Sequence, residues 1–137
     1  MAAFVLDVSA CMPWCCEDEA TPASEELLGR AARRDALHVP SLWPWEMMNA
    51  VAVSVRRQRI TAERAQRFFE QLGAFDFHLA LAPALAEFGE LSRLASQHRL
   101  TAYDAAYLDL ARRLSLPLAT LDDDLRKAAR AEGISVL

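Results

Sequence analysis

Glycine is scarce in this chain, with four residues in 137, and neither a Gly-rich phosphate loop nor a GKS/T motif is present. A nucleotide-cradling turn has little to work with. Cysteine is as sparse: Cys11, Cys15 and Cys16 are odd in number, close together and without later partners, which excludes a disulfide framework. Pro13 interrupts the Cys11–Cys15 spacing, and His38, His78 and His98 lie far along the chain, so the thiols read as structural rather than zinc-binding. Long apolar runs are also missing. Glu, Pro, Asn or Arg breaks each stretch well before the roughly 20 residues a membrane span needs, and no basic region precedes the first apolar run. The expectation is a soluble, cytoplasmic protein.

Positive charge is in deficit. A net charge of -4 and a pI near 5.3 argue against a nucleic-acid binder, because phosphate contact normally needs a basic footprint. The basic residues are nevertheless almost all arginine and occur in groups: Arg33-Arg34, Arg56-Arg57-x-Arg59 and Arg112-Arg113. For any one pair the simpler reading is a helix C-terminus that complements the dipole. Arg33, Arg34, Arg56, Arg57 and Arg59 are the candidate phosphate contacts. At 53% hydrophobic, 137 residues can bury a substantial core, and residues 1–137 read as one domain.

Phe4-Val5-Leu6 reads as a buried strand that ends at Asp7 and leads into a helix capped by Ser9. A helix over 24–34, a short strand over 37–39, and a helix capped by Ser41 with Pro44 in its first turn and an end near Arg59 follow. Thr61 opens a helix over 62–72 that stops at Gly73. Residues 75–79 alternate as a strand, Pro83 opens a helix to Gln97, and Thr101 caps one over 102–114. Residues 116–120 form a strand, 122–131 a helix, and 134–137 a last strand. Alternating strands and helices predict an α/β fold with a mainly parallel central sheet covered on both faces.

Four isolated acids, Asp7, Glu46, Asp104 and Asp122, fall at the boundaries of these apolar segments. Asp104 has a structural alternative, since Thr101-Ala102-Tyr103-Asp104 is close to a capping box. Asp122 has one too, as the N-cap of the last helix, with Asp123 and Asp124 favoured by its dipole. Asp7 ends a strand apolar on both faces, and Glu46 shares a helix face with Asn49, Ala50 and Val53, so neither is a plain solvated charge. Carboxylates brought together out of water must be protonated, cation-paired or metal-bound. No Lys or His directly flanks any of the four. Hard oxygen ligands select Mg²⁺ or Mn²⁺, and such a site performs hydrolytic phosphoryl transfer. No plausible nucleophilic triad is present, and Asp7-Val8-Ser9 lacks the second Asp of an aspartyl phosphatase of haloacid-dehalogenase type.

Four stretches carry a resemblance that runs over nearly the whole chain. They are Phe4 to Ala10; Val39-Pro40-Ser41-Leu42-Trp43 followed by Glu46 and Asn49-Ala50; Leu100 to Tyr107 with Leu110-Ala111; and Pro117 to Asp122 with Leu125 and Ala128-Ala129. Together they resemble the PIN-domain ribonucleases, and within them the VapC-type toxins of bacterial toxin–antitoxin pairs. The resemblance implies a PIN-like three-layer α/β/α sandwich and an endoribonuclease in which Asp7, Glu46, Asp104 and Asp122 bind one or two Mg²⁺ or Mn²⁺ ions and a metal-activated water attacks the phosphodiester. It implies supporting roles for Ser9, Thr120 and Asn49, and an auxiliary one for Asp124. It also implies a homodimer, an RNA substrate such as a tRNA or rRNA loop, and a VapB-type antitoxin whose C-terminal segment occludes the site. The alternatives are a PIN nuclease of RNA maturation or decay, and a non-catalytic acidic protein-binding module. Cys11, Trp14, Cys15 and Cys16 after Asp7, and Pro44-Trp45 before Glu46, depart from the usual pattern and make an unusual pocket mouth.

Overall fold

Phe4, Val5 and Leu6 are apolar on both faces, and β1 (Ala3–Leu6) accordingly takes an inner position in the sheet with all three fully buried. The computed structural model describes residues 2–137. Its sheet has the order β3-β2-β1-β4 and is parallel throughout, with β2 (Ala36–Val39), β3 (Asp76–Leu79) and the two-residue β4 (Leu118–Ala119). Phe4 pairs with Leu37, Leu6 with Ala119, and His38 with His78.

Parallel neighbours need crossovers, and the right-handed rule decides which face each helix covers. The steps β1 to β2 to β3 run one way and place α1 (Val8–Cys11), α2 (Pro22–Ala32), α3 (Trp43–Arg56) and α4 (Ala62–Leu72) on one face. The return from β3 to β4 places α5 (Phe88–His98) and α6 (Ala102–Leu114) on the other, where α6 packs on β1, β2 and β4 and against α7 (Asp123–Ala131). The three-layer α/β/α expectation holds. All strands point the same way, so Asp7, Pro40, Ala80 and Thr120 emerge together at the carboxyl edge.

Local chemistry explains most helix starts. Thr21 and Ser24 form a reciprocal capping box before α2, while Thr61 and Thr101 accept from Arg64 N at 3.0 Å and Asp104 N at 3.1 Å. Arg99 and Ser115 end α5 and α6 in the left-handed region.

Several boundaries differ from the sequence reading. Ser41 does not cap α3. The helix begins at Trp43, whose ring is buried 4.8 Å from Phe77, so side-chain burial rather than a polar cap fixes its first turn. It ends at Arg56, and Gln58 at φ 60 turns the chain before Arg59. Pro83 does not open a helix: a 3-10 turn over Leu85–Glu87 precedes α5, and Glu87 Oε1 accepts from Ala84 N at 3.0 Å. The start shifts to where a side chain satisfies the free N–H. Residues 134–137 contribute one parallel bridge, Leu118 to Val136, instead of a strand.

Cys11, Cys15 and Cys16 are buried between α1 and the turns that follow it, beside Trp14, whose Nε1 donates to Ser24 O at 3.1 Å. Arg64 ties this segment to α4 by donating from Nη2 to Trp14 O at 2.8 Å. Burial raises all three thiols, Cys16 to about 11, as expected of structural cysteines.

Candidate active site

Asp7 leaves β1 at the sheet's carboxyl edge, its N–H donating to Ala119 O at 2.9 Å. Its carboxylate occupies the N-cap position of α1 but makes no capping bond. Two hydroxyls claim it. Ser9 Oγ donates to Asp7 Oδ2 at 2.7 Å, and Thr120 Oγ1 donates to the same oxygen at 2.6 Å. Each hydroxyl in turn accepts a backbone N–H, Ser9 Oγ from Leu121 at 2.9 Å and Thr120 Oγ1 from Asp122 at 3.1 Å. A hydroxyl has one proton to give, and the bonds to Asp7 are shorter than the 3.2 Å contact between Ser9 Oγ and Thr120 Oγ1 and run to a carboxylate, the stronger acceptor. The expected Ser9 cap is thus replaced by a bond that orients a carboxylate. Oδ1 is left free of both hydroxyls.

Glu46 comes from the first turn of α3 on one helical layer, and Tyr107 of α6 reaches it from the other. The phenol donates to Glu46 Oε1 at 2.6 Å. Burial raises the Glu46 pKa, the Tyr107 bond opposes that, and the charges of Asp7 and Asp104 push it up again. Tyr107 is fully buried, and desolvation followed by the Glu46 contact holds its phenol in the protonated, donating form. Asp104, in the first turn of α6, is raised by burial and then by the charges of Asp122 and Asp7. Asp122 is the N-cap of α7, its Oδ1 accepting from Leu125 N at 2.8 Å. The cap reading of Asp122 is therefore realised, and it leaves Oδ2 over.

The charges of Asp7 and Asp104 reach Glu46, and those of Asp122 and Asp7 reach Asp104. Asp124 is exposed and exerts the weakest of the effects on Asp104. Asn49 is exposed on α3. The arginine candidates are elsewhere. Arg33 and Arg34 follow α2 and precede β2, at the amino edge opposite the acids, and Arg34 Nη1 donates to Ala74 O at 3.0 Å. Arg56 lies about 15 Å along the α3 axis from Glu46 at helical rise, with Arg57 beyond it. Arg59 is ion-paired with Asp18 at 3.3 Å and Glu19 at 3.6 Å.

Two residues at this edge escaped the sequence reading. Tyr107 sits three positions after Asp104 on one face of α6, a spacing that marks a polar group beside the acid. Arg126 donates from Nη1 to Thr120 O at 2.9 Å and steadies the segment whose hydroxyl holds Asp7. Nothing in the sequence signals it, since the bond goes to a main-chain atom.

The donor set is oxygen throughout, with hydroxyl and amide donors rather than cations bonded to Asp7, Glu46 and Asp122. Such a set fits Mg²⁺ or Mn²⁺ and not zinc or copper. Among the described residues no three Asp, Glu, His or Cys side chains close into a ligand cage. No helix among the described residues is long and apolar enough to cross a membrane.

Comparison with known proteins agrees with this fold. Residues 4–131 match the PIN domain model. The chain is 29% identical over 121 residues to ribonuclease VapC3 of Pyrobaculum aerophilum, covering 88% of this chain and 90% of that protein. Among solved structures it is similar to PAE2754 from the same organism, with a TM-score of 0.72 and 24% identity over 98% of this chain and 83% of that one. FitAcB from Neisseria gonorrhoeae shares the fold at a TM-score of 0.62 and 17% identity, over 98% of this chain and 96% of that one. With a match that runs over residues 4–131, the chain belongs to the PIN domain family.

Proposed function

We propose that this PIN-domain protein is a Mg²⁺- or Mn²⁺-dependent endoribonuclease and the toxin of a type II toxin–antitoxin pair. One observation carries the reading: Asp7, Glu46, Asp104 and Asp122 stand on four separate segments that start or end at the carboxyl edge of one sheet, and uncharged donors hold three of them. A cluster of that charge needs a cation to be stable and productive. Similarity to a ribonuclease over most of both chains supports RNA as the substrate.

In this reading Asp7, Glu46, Asp104 and Asp122 hold the metal, with Asp124 as an auxiliary acid. A divalent ion bound there supplies Lewis-acid polarisation of the phosphate and an activated water. The chain's own contribution is orientation. Ser9 and Thr120 fix Asp7, the α7 N-terminus fixes Asp122, and the acids themselves repel an RNA phosphate until their charge is offset. A cognate antitoxin of VapB type would place a basic side chain against the same acids, the protein would act in the cytoplasm as a homodimer, and its target would be a structured tRNA or rRNA loop.

The test is cleavage of RNA by purified protein with Mg²⁺ or Mn²⁺, beside Asp7→Asn prepared identically. Wild-type cleavage that stops in EDTA and in the variant is expected. Activity unchanged by Asp7→Asn would belong to a contaminant and sink the proposal. Induced expression should arrest growth, and a small protein encoded immediately upstream should relieve it; a nuclease of RNA maturation would do neither.

A further inference from the structure

We infer that Tyr107 is a positioning residue for the acidic site: from α6 it claims one oxygen of Glu46 on α3 across the end of the sheet, leaving Glu46 a single oxygen for a cation. The inference rests on the metal-nuclease reading.

A buried phenol always seeks an acceptor, so satisfaction of Tyr107 alone would be a sufficient structural reason for some hydrogen bond. What singles this bond out is the acceptor. It is a half-buried carboxylate among other acidic residues, contacted from the opposite helical layer at 2.6 Å. The same division recurs at two neighbouring acids. Asp7 has Oδ2 taken by two hydroxyls, and Asp122 has Oδ1 taken by Leu125 N, so each keeps its other oxygen. At Asp7 the donors share the sheet edge and at Asp122 the donor is local; of the three, only the Tyr107 bond joins the two helical layers. Asp104 and Tyr107 stand three apart on α6, so the helix that brings one acid also brings the donor that orients another. Partners of this kind fix ligand orientation, and their loss typically weakens metal binding about 10- to 100-fold.

The experiment is a double-mutant cycle read by calorimetry of Mn²⁺ binding to the full chain, using wild type, Tyr107→Phe, Glu46→Gln and the double variant. Tyr107→Phe removes only the hydroxyl and should weaken Mn²⁺ binding on the order of tenfold. In the Glu46→Gln background the same change should cost nothing further. Tyr107→Phe keeps the buried ring, and its melting temperature in EDTA is read beside the Mn²⁺ affinity so that a loss of fold is told apart from a loss of ligand orientation. A purely structural tyrosine would lower the melting temperature in EDTA and leave Mn²⁺ affinity alone. Wild-type affinity in Tyr107→Phe, or an equal loss in both backgrounds of the cycle, overturns the inference while the nuclease reading stands. A wild-type protein that binds no Mn²⁺ overturns both.

Discussion

Thr120 Oγ1 donates to Asp7 Oδ2 at 2.6 Å, joining the end of β4 to the end of β1 across 113 positions of sequence. Thr120 is fully buried, Arg126 holds its carbonyl, and its hydroxyl accepts from Asp122 N. One small side chain thus orients one acid and fixes the main chain leading to a second. Neither acid would be placed by its own segment alone.

Thr120→Val keeps the shape and removes the hydroxyl. It leaves Asp7 with one hydroxyl bond and Asp122 N without its acceptor. Bonds to charged groups are worth about 1.5–3 kcal/mol, so urea unfolding in EDTA should show a loss of roughly 2 kcal/mol. RNA cleavage should fall with it. Unfolding indistinguishable from wild type would show that the bond contributes nothing to holding Asp7.

The acids also oppose the fold they serve. Asp104 is half-buried and feels the charges of Asp122 and Asp7, so its carboxylate is destabilising without a cation. Asp104→Asn should therefore melt higher than wild type in EDTA while losing most of its cleavage activity. Added Mn²⁺ should reverse the order by raising the wild-type melting temperature. A lower melting temperature for Asp104→Asn in EDTA would mean that the carboxylates are not in repulsive contact.

Much of this site was legible in the sequence, for reasons that particular residues make plain. Asp7 stood out because a strand buried on both faces has no use for a terminal charge, and Glu46 because its helix face is otherwise small and apolar. The parallel sheet and its covering on both faces followed from the alternation of strands and helices, whereas the strand order did not. What stayed hidden depended on long-range packing. Trp43 overrode the Ser41 cap because it found Phe77, and Ser9 turned from capping to Asp7 because Leu121 N approached from the far end of the chain. The arginine groups could not be placed from the sequence, because a cluster in sequence says nothing of which sheet edge it reaches: Arg33 and Arg34 precede a strand and so lie at its amino edge.

Asp122 combines two roles that one pair of substitutions separates. As N-cap of α7 it accepts from Leu125 N at 2.8 Å, a task asparagine performs equally well. Asp122→Asn should be at least as stable as wild type in EDTA, since it keeps the cap and removes the charge that presses on Asp104, and it should lose metal affinity and cleavage. Asp122→Ala should lose both, with a stability cost of about 1 kcal/mol. If Asp122→Asn cleaves RNA normally, Asp122 is only a cap and Asp124 becomes the acid to test.

The His38 and His78 rings stack at 4.9 Å in register on β2 and β3, and Asp76 lies 3.2 Å from His78 Nε2. Burial lowers the His38 pKa from 6.5, the neighbouring His78 lowers it further, and Asp76 partly offsets them. Above pH 6.5 His38 is mostly neutral folded or unfolded, and stability is indifferent to it. As pH falls through 6.5 the unfolded chain takes up a proton that the folded stack resists, which favours unfolding, and the loss is complete below the folded pKa. The urea midpoint should accordingly fall between pH 7.5 and pH 5, and His38→Gln should flatten that fall without altering the midpoint's order among variants at pH 7.5. Equal pH slopes for wild type and His38→Gln would assign the effect to other groups.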